Sequence, residues 1–193
     1  IITEVRSLGS AACGGKIESG SMAKGQKLLL MPANVTATVK CLEVDGMRVD
    51  FAPIGTSVDV GLSDIDPQHL QVGSVLCHAS YPMTPANEIE IRVLTTDVLR
   101  IPLLKGSKVV LHSHMLTCDA TIDELIAQVD TATGEVLKSK PRCITREQSA
   151  ILRVRTSRNI CVEPVEVSPT LSRITLRMAG KTMALGVVTT VWR

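Results

Sequence analysis

Hydrophobic residues recur along this chain in short β-branched runs, each cut off by Gly, Pro or an Asp-Gly pair. Such punctuation predicts strands, because period-two runs bounded by turn formers have one face to bury and little room for a helix. Lys24-Gly25-Gln26 reads as a turn leading into a buried strand at Leu28–Met31. Residues 37–53 read as a hairpin with Asp45-Gly46 at its tip, since that pair tolerates the positive φ angles of a tight turn. Residues 56–65 alternate apolar with polar, and 72–77 is a further short strand. Residues 78–88 (HASYPMTPANE) then hold two prolines and no periodicity, which predicts an interdomain linker. Beyond it strands are expected at 89–95, 108–114, 149–155, 159–167, 172–178 and 182–192.

One segment reads two ways. Residues 121–130 (TIDELIAQVD) have helical spacing, and Thr121 with Glu124 could form a capping box. The segment is short for a helix, however, and a TATGE turn follows it, so strand stays open. The rhythm as a whole predicts an all-β chain of two antiparallel β-barrels in tandem, residues 1–84 and 85–193. A length of 193 residues accommodates two such domains.

Composition adds limits. Aromatics are 2% of the chain (Phe51, Tyr81 and Trp192) against 45% hydrophobic residues, so the cores are aliphatic. The same scarcity argues against an RNA reader built on several stacking platforms. A net charge of +2 leaves any nucleic-acid contact to a local patch. Six cysteines are dispersed with no Cys-x-x-Cys pair, which points to reduced thiols, mostly in the core, of a cytoplasmic protein. No apolar run approaches the roughly 20 residues of a membrane helix. The start at Ile1 and not Met is what a fragment would show.

Candidate chemistry is sparse. TLRMAGKT (175–182) ends as a phosphate-binding P-loop does, yet Thr175 stands where the loop needs its first glycine, and no helix-forming stretch follows. Gly14-Gly15-Lys16 fails as well, because Ile17 occupies the Ser/Thr position. His112 and His114, read on one strand face with Cys118 and Asp119 nearby, give no second ligand cluster for zinc. The carboxylate pairs Glu88/Glu90, Asp64/Asp66 and Asp123/Glu124 read as solvated faces or turns. No catalytic residue, cofactor site or metal site is expected.

Basic residues say more. Period two puts Arg173, Thr175 and Arg177 on one face of a strand, opposite Ile174, Leu176 and Met178. Residues 138–158 add Lys138, Lys140, Arg142, Arg146, Arg153, Arg155 and Arg158. Between 138 and 181 ten Lys and Arg stand against three Glu, which suits either a solvated face or a recognition surface.

Taken together the motifs resemble a known family. GKIESGSMAKGQKLLLMP (15–32) resembles the opening of domain 2 in translational GTPases of the elongation factor Tu/one-alpha superfamily. TGEVLKSKPR (133–142) with SRITLRMAGKTMALGVV (172–188) is similar to the closing half of their domain 3. The resemblance implies two β-barrels, with a strand at 121–130, that follow a GTPase domain. Its Asn-Lys-x-Asp guanine motif does not occur here, so GTP and Mg would belong to that preceding domain and this chain would not hydrolyse GTP. VDFAPIG (49–55) and IPLLKGSKVVLH (101–112) look more like the ribosome-rescue branch that partners Pelota, whereas ESGS and KGQ are similar to the release-factor branch.

By this resemblance, domain 3 would bind a tRNA-shaped protein (Pelota or a class I release factor) or tRNA itself. Domain 2 would lean on the small ribosomal subunit, and the protein would be a cytoplasmic monomer with no membrane contact. Arg173 and Arg177 match both arginines of a Gly-Arg-Phe-x-x-Arg motif in the partner-binding region, with Ser172 and Ile174 replacing its glycine and phenylalanine. With Lys181, Arg142, His112 and His114 they make up the expected partner-binding set.

Overall fold

The computed structural model describes residues 1–7 and 11–192, and the side chains of all of these except Arg6 and Ser7. The chain divides into two compact units, Ile1–Thr84 and Pro85–Arg193. The first holds β1 (Ile2–Ser7), β2 (Ala11–Lys16), β3 (Ser21–Ala23), β4 (Lys27–Met31), β5 (Val35–Val44), β6 (Met47–Val49), β7 (Phe51–Pro53), β8 (Ser57–Ser63) and β9 (Val75–His78). The second holds β10 (Ala86–Thr95), β11 (Lys108–Ser113), β12 (Leu116–Val129), β13 (Val136–Ser139), β14 (Ser149–Ile160), β15 (Arg173–Met178) and β16 (Lys181–Trp192). Short helical turns occur at Pro67–His69 and Pro169–Ser172.

In the first unit the strand order is β1-β2-β8-β5-β4-β9, with β6 folded back on β5 and a separate β3-β7 ribbon. The sheet curls into a half-barrel. Its two ends are drawn together where Ile2 N–H donates to the Ser74 carbonyl at 2.9 Å and the Ile2 carbonyl accepts from Gly73 N–H at 3.0 Å. The β5–β6 hairpin turns at Asp45 and Gly46, both at positive φ, as the Asp-Gly pair predicts. In β8 the alternation holds: Val58, Val60 and Leu62 are buried against Leu28, Leu30, Val39 and Leu42.

The second unit is a closed barrel. Its order is β11-β15-β16-β10-β14-β12, and β12 pairs back with β11 to complete the circle, while β13 extends outward from β12. Ile89, Ile91, Leu111, Ile122, Leu152 and Leu176 fill the middle. The fold is thus all-β with tandem antiparallel barrel units, and aliphatic side chains supply both cores.

Residues 121–129 lie within the strand β12, and Asp130 follows its end. Inward positions run Leu116, Cys118, Ala120 and Ile122, then jump to Leu125, Ala127 and Val129. Irregular registers against β14, between Ile122 and Glu124 and between Leu125 and Ala127, produce the jump. A bulge of this kind inserts one residue and so imitates the three-residue step of a helix.

Residues 159–167 correct the sequence reading. Only Asn159 and Ile160 belong to a strand, the end of β14. Pro164 lacks a donor, and the Val167 and Ser168 N–H groups donate back to its carbonyl in a turn. The apolar character belongs to Cys161 and Val162, which plug the barrel core from this loop. All six cysteines are free; Cys13, Cys118 and Cys161 are buried, Cys41 and Cys77 half-buried, and Cys143 exposed. Among the described residues no helix is long and apolar enough to cross a membrane.

Candidate functional site

β15 lies between β11 and β16, and its pleat sends Ile174 and Leu176 into the barrel. Its register sets Thr175 beside His112 of β11 and Leu185 of β16, and Arg177 beside Val110 and Thr182. Cross-strand partners share a face, so His112 joins Arg173 and Arg177 on the outer surface. Arg173 is exposed and has no carboxylate within ion-pair distance among the described residues. Its carbonyl accepts from Ser113 Oγ at 3.0 Å, which fixes the backbone and leaves the guanidinium in water.

Arg177 is held differently. Its Nη2 donates to the Gly180 carbonyl at 2.6 Å, and its half-buried Nε is shielded from solvent without an acceptor. The side chain braces the β15–β16 turn, where Ala179 and Gly180 both take positive φ. The GKT sequence therefore opens β16 out of a hairpin, and Lys181 is its exposed first residue, paired with Met178. No helix follows to present its N-terminus to a phosphate, so the P-loop reading fails on geometry.

The two histidines part company. His112 Nδ1 lies 3.1 Å from Thr117 Oγ1 on the strand surface. His114 falls beyond the end of β11, in a turn at φ 42°, with Nε2 3.4 Å from the Cys161 carbonyl. They do not share a strand face, and that expectation is corrected. Arg142 is exposed on the loop between β13 and β14, and shares no strand pairing with β15 among the described residues.

Two features escaped the sequence reading. The first is that several cations are already engaged. Arg155 reaches Glu88 at 2.7 Å and Asp123 at 2.9 Å. Arg153 lies 3.7 Å from Glu124 and 5.0 Å from the Trp192 ring centroid, and Lys140 lies 3.6 Å from Glu124. Glu88, Asp123 and Glu124 are thus partners of arginines and lysine across β10, β12 and β14, not merely a solvated face.

The second is a cluster of loops at one end of the barrel. Leu103 and Ile144 exchange backbone bonds of 2.8 and 3.0 Å, which join the loop before β11 to the loop before β14. Thr95 Oγ1 donates to the Thr145 carbonyl at 2.6 Å, and Thr96 Oγ1 to the Thr182 carbonyl at 2.9 Å, so the β15–β16 hairpin is tied in as well. These bonds bring together the loops that carry the exposed Arg100, Lys105, Arg142, Arg146 and Lys181, the exposed acids Asp97 and Glu147, and Ile101 and Leu104, which are 67% and 47% exposed. The alternation of apolar and basic residues in VLRIPLLKGSK (98–108) was a visible signal, but only the Leu103–Ile144 bridge shows which loop it meets.

Comparison with known proteins fits this architecture. Residues 88–189 match the GTP-eEF1A C-terminal domain-like family. The chain is 32% identical to Protein HBS1 of Drosophila melanogaster over 95% of its length, spanning 27% of that protein. It is 31% identical to elongation factor 1-alpha of Metallosphaera sedula over 92% of its length, spanning 40% of that protein. The fold superposes on the crystal structure of sup35 complexed with GDP at a TM-score of 0.92, with 24% identity, covering 100% of this chain and 47% of that one. A second sup35 structure, complexed with GMPPNP, gives 0.91 at 26% identity, covering 98% of this chain and 46% of that one. With residues 88–189, more than half of its length, matched to that model, the chain belongs to the GTP-eEF1A C-terminal domain-like family.

Proposed function

We propose that this chain is the non-catalytic C-terminal part of a translational GTPase for ribosome rescue, and that its second barrel docks a tRNA-shaped protein partner such as Pelota. The similarity to Protein HBS1 over 95% of the chain supports the rescue branch. The observation that carries the docking role is the exposed, unpaired Arg173 at the start of β15, a strand that runs on to the hairpin carrying Lys181. Hydrolysis of GTP, and the GTP and Mg it needs, belong to a domain outside these two barrels. The first barrel leans on the small ribosomal subunit, and the protein works as a monomer in the cytoplasm.

The contact works through charge-assisted hydrogen bonds. Arg173 offers a planar donor fork to carboxylates, and nothing in its own barrel competes for it. Arg177 acts one step removed, by bracing the hairpin that carries Lys181. Calorimetry with purified Pelota is the test. Arg173→Glu should weaken binding by about 2–5 kcal/mol, since reversal adds repulsion to the lost bond. Unchanged affinity removes Arg173 from the interface.

Two other readings have support of their own. The sup35 fold match and the elongation factor 1-alpha similarity leave a class I release factor and aminoacyl-tRNA as rival partners. A pull-down with all three separates them. Binding to tRNA would fall steeply with salt through phosphate contacts, whereas a protein contact falls less.

A further inference from the structure

Residues 161–172 join β14 to β15 and lead directly into Arg173. Cys161 and Val162 are buried in the core, and Val165 N–H donates to the Val188 carbonyl of β16 at 3.0 Å. Beyond that tie the chain is open to solvent: Glu166, Val167, Pro169 and Thr170 are exposed, Val167 to 69%. Among them stands a Ser-Pro dipeptide, Ser168-Pro169. Ser168 caps the single helical turn Pro169–Ser172 by accepting from Leu171 N–H at 3.3 Å, and its own N–H donates to the Pro164 carbonyl at 3.0 Å. Its hydroxyl proton has no acceptor among the described residues. No strand pairing involves residues 161–172 among those described, so the loop can be drawn out without opening the barrel.

A serine followed by proline suits a protein kinase whose pocket offers no acceptor to the next amide. Proline alone has no N–H to leave unpaired there. The chain's other dipeptide of this kind, Thr84-Pro85, is half-buried behind the buried Met83, whereas Pro169 and its neighbours Val167 and Thr170 are exposed. A phosphate on Ser168 would change the local charge sharply. Residues 161–172 hold Glu163 and Glu166 and no Lys or Arg, so a phosphoserine, at about −1.5 to −2, would roughly double their negative charge. Arg173 follows five residues after Ser168, about 8 Å at helical rise, a gap that the two side chains together can close. Its guanidinium has no carboxylate within ion-pair distance among the described residues, and a phosphate offers it a bidentate partner.

We propose that Ser168 is a phosphorylation site for a proline-directed kinase, and that its phosphate pairs with Arg173 and switches the docking face off. The switch rests on the docking reading above; the site does not. In the transfer Ser168 Oγ bonds to the γ-phosphorus of ATP, and the bond from that phosphorus to the β–γ bridging oxygen breaks. The hydroxyl proton passes to the kinase's catalytic base, and ADP leaves. Incubation of the full chain with such a kinase and Mg-ATP, read by peptide mass spectrometry, should place a phosphate on Ser168, and none at that position in Ser168→Ala. A free peptide of residues 162–174 is the control for the motif. Labelling of the peptide but not the folded chain, of neither, or of Thr84 alone overturns the site. Phosphorus NMR then reads Arg173 without any partner. A nearby cation favours the dianion, so the phosphate should titrate at lower pH in the wild type than in Arg173→Gln. Equal titration in both overturns the pairing. By calorimetry, phosphorylation should weaken Pelota binding about ten-fold in the wild type and less than about two-fold in Arg173→Gln. Unchanged affinity in the wild type overturns the switch. An unmodified chain that fails to bind Pelota removes the docking reading and the switch with it, while labelling and the phosphorus spectrum still judge the site and its arginine.

Discussion

Burial decides the chemistry of Cys13. The thiol faces the first core, and desolvation of the thiolate pushes it up to about 11, with nearby positive charge at the chain start opposing and Asp59 adding to the rise. The sign follows. The folded state holds the proton at pH values where the unfolded thiol, near 8.5, has lost it, so this contribution is complete below about pH 8.5 and disappears as pH rises towards 11. Thermal melts between about pH 9 and 10.5 should show a steeper loss of stability for the wild type than for Cys13→Ala. Parallel curves would mean that Cys13 titrates as it does in the unfolded chain. Alkylation at neutral pH should label the exposed Cys143 first and the buried Cys13, Cys118 and Cys161 last. At the same scale, Asp130 accepts from Ala132 and Thr133 N–H at 2.8 and 2.7 Å, which holds its carboxyl below the usual range. Those bonds are present above its unfolded value and are lost as acid protonates it, so the protection of both amides against hydrogen exchange, relative to an unstructured peptide at the same pH, should fall in acid and in Asp130→Ala. Unchanged protection would show that the turn stands without its carboxylate.

Among the elements, β16 is paired on both sides, with β10 and β15, and lies close against the former at Gly186. A Cβ at Gly186 would meet the Arg92 carbonyl oxygen at 2.2 Å, backbone that cannot move aside without breaking the ladder. Gly186→Ala should destabilise the second unit by about 2–4 kcal/mol, read as the midpoint shift in urea. A shift within the error of the titration would mean that the strands can part. The period-two signal gave most elements directly, as in β8 and β15, because one face is buried and the other wet. It failed where pairing partners decide. β12 is locally ambiguous, and only its ladder with β14, which absorbs a bulge after Ile122, makes it a strand. Cys161 and Val162 are apolar outside any strand, and their burial is as a plug of the barrel.

At the scale of the molecule, the two units have separate cores, and neither hydrophobic cluster includes residues of the other. A protein of residues 85–193 alone should therefore keep its barrel, as checked by overlay of its amide spectrum on that of the full chain. Collapse of its dispersion to that of an unfolded chain would show that the second core depends on the first unit. The candidate surface is legible in the sequence to different depths. Arg173 and Arg177 were visible as matching arginines on one strand face, but their roles differ because of the Gly180 carbonyl, which is three residues on and reachable only once the hairpin closes. Arg153 and Arg155 looked equally available and are not, since Glu88, Asp123 and Glu124 come to them from other strands.

The sequence by itself determined what is local: β class from period two, the Asp45-Gly46 turn from backbone permissiveness, aliphatic cores from composition, and family from ordered motifs along nearly the whole chain. Tertiary structure alone decided which charges are free. An ion pair costs nothing in local propensity and leaves no mark on periodicity, so sequence cannot tell Arg173 from Arg155. Strand pairing sets a carboxylate 2.7 Å from one and leaves the other in water, and that difference makes one a brace of the barrel and the other a candidate contact.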